Sequence, residues 1–157
     1  MERPKTIALV SGGFDPAHLG HAELLYESYL LCDEIWIILN NDNWLINKKG
    51  FVFQTQEERA GILSRIKGVT GIFVTGHELG DEDTSVCNEL RSIIARASSE
   101  YKYFFMKGGD RVDTNTPEAD VCKELGISVL YGVGGGKIQS SSELVRASNE
   151  FHNRTQQ

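Results

Sequence analysis

Five short apolar runs alternate with helix-like segments along this chain of 157 residues, and this alternation restricts the fold more than any other feature. The runs are rich in β-branched and aromatic residues, which favour strands. They occupy residues 6–10, 34–39, 71–75, 101–106 and 127–131. A series of alternating strands and helices predicts a parallel sheet with helices on both faces. We therefore expect one three-layer, doubly wound α/β domain of the Rossmann-like type over residues 1–157, with its core at about 5–150.

A glycine-rich turn joins the first strand to the first helix. Gly12 and Gly13 open this turn, and the helix that follows has an apolar stripe at helical spacing. The predicted inward face consists of Leu24, Leu25, Ser28, Leu31 and Cys32. Counted back along the helix, His18 and His21 continue this face toward the carboxyl end of the strand. Ligands of open parallel sheets bind at that end.

The turn has the chemistry of a phosphate site. Glycine lets backbone N–H groups approach a phosphate closely, and the helix N-terminus adds the positive end of a dipole. We include Phe14 and Asp15 with the two glycines in the predicted nucleotide site. Two imidazoles can donate hydrogen bonds to phosphate oxygens and carry positive charge. A metal pair is the alternative, but no cysteine or histidine nearby in the sequence offers a third ligand. We therefore favour phosphate binding and expect no protein-bound metal.

The net charge of −6 and the isoelectric point of about 5.2 narrow the classes of partner. Nucleic acids and membrane surfaces favour basic patches, so we expect neither as a partner. The three cysteines are odd in number and widely spaced, which is typical of reduced thiols in the cytoplasm. No apolar run approaches the ~20 residues of a membrane span, and the N-terminus lacks the apolar segment of a signal peptide. These features together predict a cytoplasmic protein.

The second and fourth strands are also followed by residues suited to anions. Lys48 and Lys49 come after a polar loop and precede a glycine, which suits an anion clamp, with a solvated surface turn as the alternative. Gly109, Asp110 and Arg111 follow the fourth strand. There the glycine permits close backbone approach, Asp110 can accept from a ribose or organise a cation, and Arg111 can bind a phosphate. The alternative is an ordinary turn.

A glycine run at 132–136 leads to three serines at the predicted start of the last helix, namely Ser140, Ser141 and Ser142. Ser140 and Glu143 fit a capping box, so one serine is expected to cap the helix. The remaining hydroxyls and free N–H groups can bind a triphosphate, because a helix N-terminus attracts anions. If these two hydroxyls bind nothing, they are solvated.

Two further segments carry predictions. Thr55 and Glu58 fit a capping box, and the helix that they open is expected to bury Ile62, Leu63 and Ile66. Arg59, in the first turns of that helix, is expected to pair with a nearby carboxylate. The loop 77–84 contains four acidic residues and His77. A metal site is one interpretation of this loop, but acidic residues before a helix suit its dipole, and we favour that interpretation.

All of the glycine-rich and lysine-bearing loops follow strands, so they meet at one edge of a parallel sheet. We expect the strand order 3-2-1-4-5, which places the first and fourth strands side by side at the switch point. This order brings the His18 and His21 turn against residues 107–111.

Residues 12–21, GGFDPAHLGH, resemble the G-x-F-D-x-x-H-x-G-H motif of the cytidylyltransferase-like nucleotidyltransferases. The resemblance extends from residue 7 to about residue 145. Within that superfamily, the chain most resembles the heptose-1-phosphate adenylyltransferase domains of lipopolysaccharide-core biosynthesis. The closer match rests on residues 39–43, 48–50, 56–60, 107–110 and 139–142.

The resemblance implies a role for each part of the site. His18 and His21 would hold the NTP phosphates in the transition state, and Lys48 or Lys49 would neutralise developing charge. The serines at 140–142 would bind the β- and γ-phosphates. Mg²⁺ would arrive with the NTP rather than in a protein cage. The family also implies a homodimer.

Glycerol-3-phosphate cytidylyltransferases are the nearest competing group, and they leave the choice of nucleotide open. They have an arginine before the serine/threonine motif, where Gly135 stands here with Lys137 nearby. Wider relatives have an arginine three residues after the last hydroxyl. Val145 takes that place here, and Arg146 comes one residue later.

The expected activity is transfer of an NMP, with AMP favoured, from an NTP to a phosphorylated sugar or polyol, with release of pyrophosphate. The acceptor phosphate attacks the α-phosphorus in line, so the protein positions groups and neutralises charge. One alternative is a glycerol-3-phosphate-type cytidylyltransferase that uses CTP. Alternatives from other classes are a nucleotide-sensing domain without turnover and a metal-dependent hydrolase that uses both histidines and the acidic loop. The sequence does not identify the acceptor.

Overall fold

A computed structural model describes residues 3–109, 115–135 and 149. The strands are β1 (Thr6–Gly12), β2 (Glu34–Leu39), β3 (Val69–Val74), β4 (Lys102–Met106) and β5 (Ser128–Leu130). The described helices are α1 (Leu19–Leu31), α2 (Asp42–Lys49), α3 (Gln56–Leu63), α4 (Cys87–Arg96) and α5 (Pro117–Leu125). The five strands form one parallel sheet in the order β3-β2-β1-β4-β5, which confirms the predicted fold class and strand order.

The core lies on both faces of the sheet because successive strand residues face opposite ways. In β1, Ile7 and Leu9 pack with α4 and α5, whereas Ala8 and Val10 pack in the layer that contains α1 and α3. All four residues are fully buried. The central strand is therefore apolar without a break, as expected for a parallel sheet covered on both faces.

Several helix boundaries follow from local capping, including the predicted one at Thr55. Thr55 caps α3 by accepting a hydrogen bond from the N–H of Glu58, and Thr116 caps α5 before Pro117. Gly126 ends α5 in the left-handed conformation, at φ 75°. α4 buries Leu90 and Ile93.

The segment after β2 differs from the prediction of a polar loop followed by a Lys-Lys-Gly turn. Asn41 instead caps a helix, α2, by accepting a hydrogen bond from the N–H of Trp44. Lys48 and Lys49 form the last turn of α2, and Gly50 ends it at φ 86°. Among its own residues, α2 buries only Leu45. The helix therefore lacks the apolar stripe from which helices are predicted.

Two residues predicted to lie on inward faces are exposed. Leu31 is 53% exposed, because it stands about 120° around α1 from the buried Leu25. Ile62 is 40% exposed, because the buried face of α3 is centred on Arg59 and Leu63. Among the described residues, no helix is long and apolar enough to cross a membrane.

Candidate active site

The turn after β1 is held by close packing at its glycines. A side chain at Gly13 would come within 3.2 Å of Leu45 and 3.3 Å of Trp44, both in α2. A side chain at Gly12 would come within 3.1 Å of the Phe14 ring. Phe14 itself is buried and has a φ of 51°, which side-chain-bearing residues rarely adopt. Gly13 therefore permits close contact between the turn and α2, and Gly12 leaves room for the Phe14 ring.

His18 and His21 lie at the start of α1 and cap it together. His18 is the N-cap residue, and its Nδ1 accepts a hydrogen bond from the N–H of Gly20 at 3.1 Å. The Nδ1 of His21 accepts from the N–H of His18 at 3.2 Å. The two rings stack with centroids 3.8 Å apart, and the Phe14 ring lies 4.6 Å from His21. Two free N–H groups of the helix terminus are thereby satisfied by imidazoles.

This capping fixes the protonation of both rings. A neutral imidazole carries one hydrogen, and an Nδ1 that accepts from the backbone leaves that hydrogen on Nε2. Burial lowers the pKa of His21 to about 4, and the nearby His18 and the positive charge of Lys49 act in the same direction. His21 is therefore neutral at pH 7 and carries its hydrogen on Nε2, which is an uncharged donor.

The two lysines at the end of α2 differ in environment. Lys49 is half-buried, and its charge lies close enough to lower the pKa of His21. Burial lowers the pKa of Lys49 itself, while Asp15 opposes this effect and Arg59 adds to it. Lys48 is exposed, with its Nζ 5.8 Å from the centre of the Trp44 ring. Of these two lysines, Lys49 is therefore the one whose charge acts on His21.

Arg59 connects the turn after β1 to the neighbouring segments, and its side chain is fully buried. Its donors reach the carbonyl oxygens of Gln54, Gly13 and Asn40 at 2.9, 2.7 and 2.6 Å. Its Nη2 lies 2.7 Å from a carboxylate oxygen of Asp42, which confirms the predicted pairing with a carboxylate. The prediction from the sequence includes neither the burial of Arg59 nor its contacts with the carbonyl oxygens. Only the position of Arg59 one helical turn before the buried Leu63 points to them.

The Asp15 carboxylate joins the same turn to the segment before α3. Asp15 is 2% exposed, and its two oxygens accept hydrogen bonds from the N–H groups of Phe53 and Gln54 at 2.7 and 2.6 Å. Both oxygens are thus engaged with the backbone. Asp15 lies within the predicted nucleotide site, and its contacts there are those of a positioning residue.

The loops after β4 and β5 meet on α1. Gly108 packs against the side chain of Leu24, and the N–H of Val133 donates to the carbonyl of Lys107 at 3.1 Å. The N–H of Gly134 donates to the carboxylate of Glu27. The carboxyl ends of β1, β4 and β5 therefore surround one side of α1, as the strand order predicts.

Of the predicted residues at this edge, Gly109 is described and adopts φ 81°, and, its chain neighbours aside, no other described residue lies within 4 Å of where a Cβ would stand. The other predicted residues here, namely Asp110, Arg111, Ser140, Ser141 and Ser142, lie outside the described residues.

The acidic loop does not form a metal site with the histidines. Within residues 3–109 and 115–135, no three His, Cys, Asp or Glu side chains are close enough together to hold a metal ion. His77 is buried and hydrogen-bonded to the Thr75 hydroxyl and the Ser85 carbonyl, at 2.8 and 3.0 Å. The three cysteines are free thiols.

Comparison with known families identifies the class of this protein. The cytidylyltransferase-like family model matches residues 9–130, and the chain belongs to this family of nucleotidyltransferases. The match covers β1, the histidine turn, α2 and the sheet as far as β5. The resemblance drawn from the sequence is thereby confirmed at the level of the family.

Two curated relatives illustrate the range of that family. The "Bifunctional protein HldE" of Hyphomonas neptunium is 27% identical over 126 residues, which are 79% of this chain and 23% of the relative. The "Probable nicotinate-nucleotide adenylyltransferase" of Halalkalibacterium halodurans is 29% identical over 113 residues, which are 69% of this chain and 53% of the relative. The chain thus spans about a quarter and about half of the lengths of these two proteins.

Solved structures show the same fold. A lipopolysaccharide core biosynthesis protein from Thermoplasma volcanium has a TM-score of 0.56 at 24% identity, over 82% of this chain and 94% of that one. A bifunctional NMN adenylyltransferase/ADP ribose pyrophosphatase from Francisella tularensis has a TM-score of 0.67 at 16% identity, over 88% and 40%. At these identities the likeness concerns the fold alone.

Proposed function

We propose that this protein transfers AMP from ATP to a phosphorylated sugar or polyol and releases pyrophosphate. The acceptor phosphate attacks the α-phosphorus in line, and the bond to the β,γ-pyrophosphate breaks. The protein supplies positions and charge rather than a nucleophile of its own. Adenylyl transfer is supported by the relatives, since those from Halalkalibacterium halodurans and Bacillus cytotoxicus are both named as probable nicotinate-nucleotide adenylyltransferases.

The stacked pair of imidazoles is the observation that carries this proposal. Both Nδ1 atoms accept from backbone N–H groups, so both rings are held in the tautomer that carries its hydrogen on Nε2. Preorganised donors stabilise charge that develops on phosphate oxygens in the transition state without having to reorganise. In the proposed reaction, His18 and His21 bind the triphosphate at the bond that breaks.

Lys49 is the cation that we assign to the transition state, in preference to Lys48. It is half-buried beside His21, whereas Lys48 is exposed and lies over the Trp44 ring. Arg59 and Asp15 hold the turn in place through backbone contacts, so we assign them positioning roles. The serines at 140–142 remain proposed ligands of the β- and γ-phosphates.

Mg²⁺ is proposed to bind with the triphosphate. Among the described residues, no group of three potential ligands could hold it, and both oxygens of Asp15 are already hydrogen-bonded. This donor set suits an ion that takes most of its ligands from phosphates and water. Bound in this way, Mg²⁺ would neutralise charge on the phosphate oxygens.

A pyridine mononucleotide is a second candidate acceptor. It is favoured by the two relatives named for nicotinate-nucleotide adenylyl transfer, which are 29% and 26% identical to this chain. The sugar-phosphate acceptor is favoured by the sequence resemblance to heptose-1-phosphate adenylyltransferase domains and by the relative HldE. Both acceptors attack the α-phosphorus of ATP with a phosphate monoester, so the chemistry at the α-phosphorus is shared.

Pyrophosphate release tests the proposal directly. ATP, CTP, GTP and UTP are each combined with heptose 1-phosphate, glucose 1-phosphate, glycerol 3-phosphate or nicotinate mononucleotide. Release with ATP and a sugar or polyol phosphate supports the proposal, whereas release with ATP and nicotinate mononucleotide supports the second acceptor. Release with CTP alone supports cytidylyl transfer instead of adenylyl transfer. Nucleotide binding without any release overturns the enzymatic proposal and favours a sensing domain.

A further inference from the structure

Helix α2 is attached to the segment after β3, residues 75–85, by side chains that bind its backbone. Asn41 and Asn43 each donate from Nδ2 to the carbonyl oxygen of His77, at 2.9 Å in both cases. The indole N–H of Trp44 donates to the carbonyl of Thr84 at 3.0 Å. Three consecutive polar contacts therefore hold the first turn of α2 against this segment.

Asn47 makes the matching contact in the last turn of α2. Its Nδ2 donates to the carbonyl of Glu78, and its Oδ1 accepts from the N–H of Gly80, both at 2.9 Å. One amide group thus binds a donor and an acceptor of the acidic loop at the same time. Lys49 follows Asn47 by two residues and ends the helix.

The segment 75–85 is itself braced, so that it can serve as a fixed support. Because the Ser85 carbonyl only accepts, Nε2 of His77 donates to it, and the Thr75 hydroxyl donates to Nδ1. The acidic side chains fold the loop: Asp81 accepts from the N–H of Glu78, and Asp83 accepts from the N–H of Ser85. The acidic residues are therefore used, at least in part, to shape the backbone that α2 binds.

α2 also contacts the turn that carries the histidines. Leu45 and Trp44 pack so closely on Gly13 that a Cβ there would lie 3.2 and 3.3 Å from them. α2 therefore lies between the turn and the segment 75–85, and its last turn carries the half-buried Lys49. A shift of the last turn away from the acidic loop would move Lys49 relative to His21.

We propose that Asn47 is a positioning residue, which fastens the last turn of α2 to Glu78 and Gly80 and so keeps Lys49 beside His21. The acidic loop then supports the last turn of α2, which carries Lys49. The catalytic meaning of this arrangement rests on the proposed function, because only Lys49 would contact the phosphates. The arrangement itself can be measured in the free protein.

A double-mutant cycle with Asn47→Ala, Lys49→Met and the double variant tests the inference. Turnover is measured by pyrophosphate release, and the titration of His21 is followed by NMR in the protein without substrate. We expect Asn47→Ala to lower turnover roughly tenfold, since small displacements of a reacting group are costly. We expect no further loss from Asn47→Ala when Lys49 is already methionine, because effects that act through one residue are not additive.

The His21 titration provides a measurement that a purely structural role would not change. Both single variants should raise the pKa of His21, since each removes or displaces the positive charge of Lys49. Asn88→Ala, at an exposed asparagine of α4, is the matched control and should leave turnover and titration unchanged.

Additive losses of turnover in the cycle, or an unchanged His21 titration in Asn47→Ala, would overturn the positioning role. If the wild-type protein releases no pyrophosphate with any pair of substrates, the proposed function fails. The His21 titration by itself then tests the positioning role, because it requires no substrate.

Discussion

Substituting Arg59 with methionine tests how firmly the turn after β1 is held. Methionine keeps much of the length and volume of the side chain but removes all of its donors. The carbonyl oxygens of Gly13, Asn40 and Gln54 each lose a hydrogen bond, and Asp42 loses its ion pair. The perturbation is therefore the loss of one buried charge and its contacts, with little change in packing volume.

The expected loss of stability in Arg59→Met follows from the burial of the Arg59 side chain. Removing one partner of a buried ion pair costs about 3–5 kcal/mol. Asp42 is 30% exposed, so water can solvate the carboxylate that is left, which moves the cost to the lower end. The three carbonyls add to the cost, and the apolar methionine offsets part of it. We expect a loss of about 3–4 kcal/mol in the free energy of unfolding, or roughly 10 °C in Tm.

Urea and thermal unfolding of Arg59→Met measure this loss. Arg65→Met is the matched control, because Arg65 is exposed just after α3 and donates only to Gly61 and Ser64 in the described residues. The control should change stability by no more than about 0.5 kcal/mol. A loss below about 1 kcal/mol for Arg59→Met, or equal losses in the two variants, would refute the reasoning from buried contacts.

Three further predictions concern α1 and its contacts. His18→Asn keeps a side chain able to cap α1 but removes the Nε2–H donor, so pyrophosphate release should fall roughly 10²–10³-fold with little change in Tm. The pKa of His21 is about 4 in the folded protein against 6.5 normally. The unfolded chain therefore binds this proton more tightly, and the free energy of unfolding should fall by roughly 2–3 kcal/mol as the pH drops from 6.5 to 4. This loss, measured by urea unfolding, should shrink in His21→Asn. Gly134 and Gly135 both have φ 82°, but only at Gly134 would a Cβ meet the backbone of Leu24, at 2.7 Å. Thermal unfolding should show a loss of ~1 kcal/mol for Gly135→Ala and several times that for Gly134→Ala.

Each of these predictions has a contrary outcome. Near-wild-type turnover in His18→Asn would contradict the donor role. An equal acid sensitivity of the wild type and His21→Asn would show that other groups cause the loss. Equal stability of the two alanine variants would mean that the loop after β5 does not rest on α1 as described.

The strands and their order could be predicted because short apolar runs of the sequence determine them. A parallel strand buried on both faces needs an unbroken apolar sequence, and Ile7 to Val10 provide it at the centre of the sheet. The position of the histidine turn follows from the same fact, since loops after parallel strands share one edge. The capping residues Thr55 and Thr116 also act locally, on the next turn of chain.

Helix α2 and Arg59 could not be predicted in this way, because distant partners determine them. α2 buries only Leu45 of its own residues and binds a segment more than 30 residues away through asparagine side chains. Arg59 occupies a core position only because three carbonyls and one carboxylate from other elements meet there. Hydrophobic periodicity predicts neither the distant segment that α2 binds nor the polar groups that surround Arg59.

The charges around the turn explain why uncharged imidazoles suit the proposed reaction. Arg59 is engaged by Asp42, and Asp15 is engaged by two backbone amides, so neither is available to a triphosphate. His21 is neutral, and Lys49 is a cation whose charge acts on it. A neutral donor interacts more strongly with an oxygen as negative charge grows on it, and interactions that strengthen in the transition state raise turnover. In this arrangement the imidazoles act mainly on the reacting phosphate, while Lys49 and the ion bound to the nucleotide offset the charge already present in the substrate.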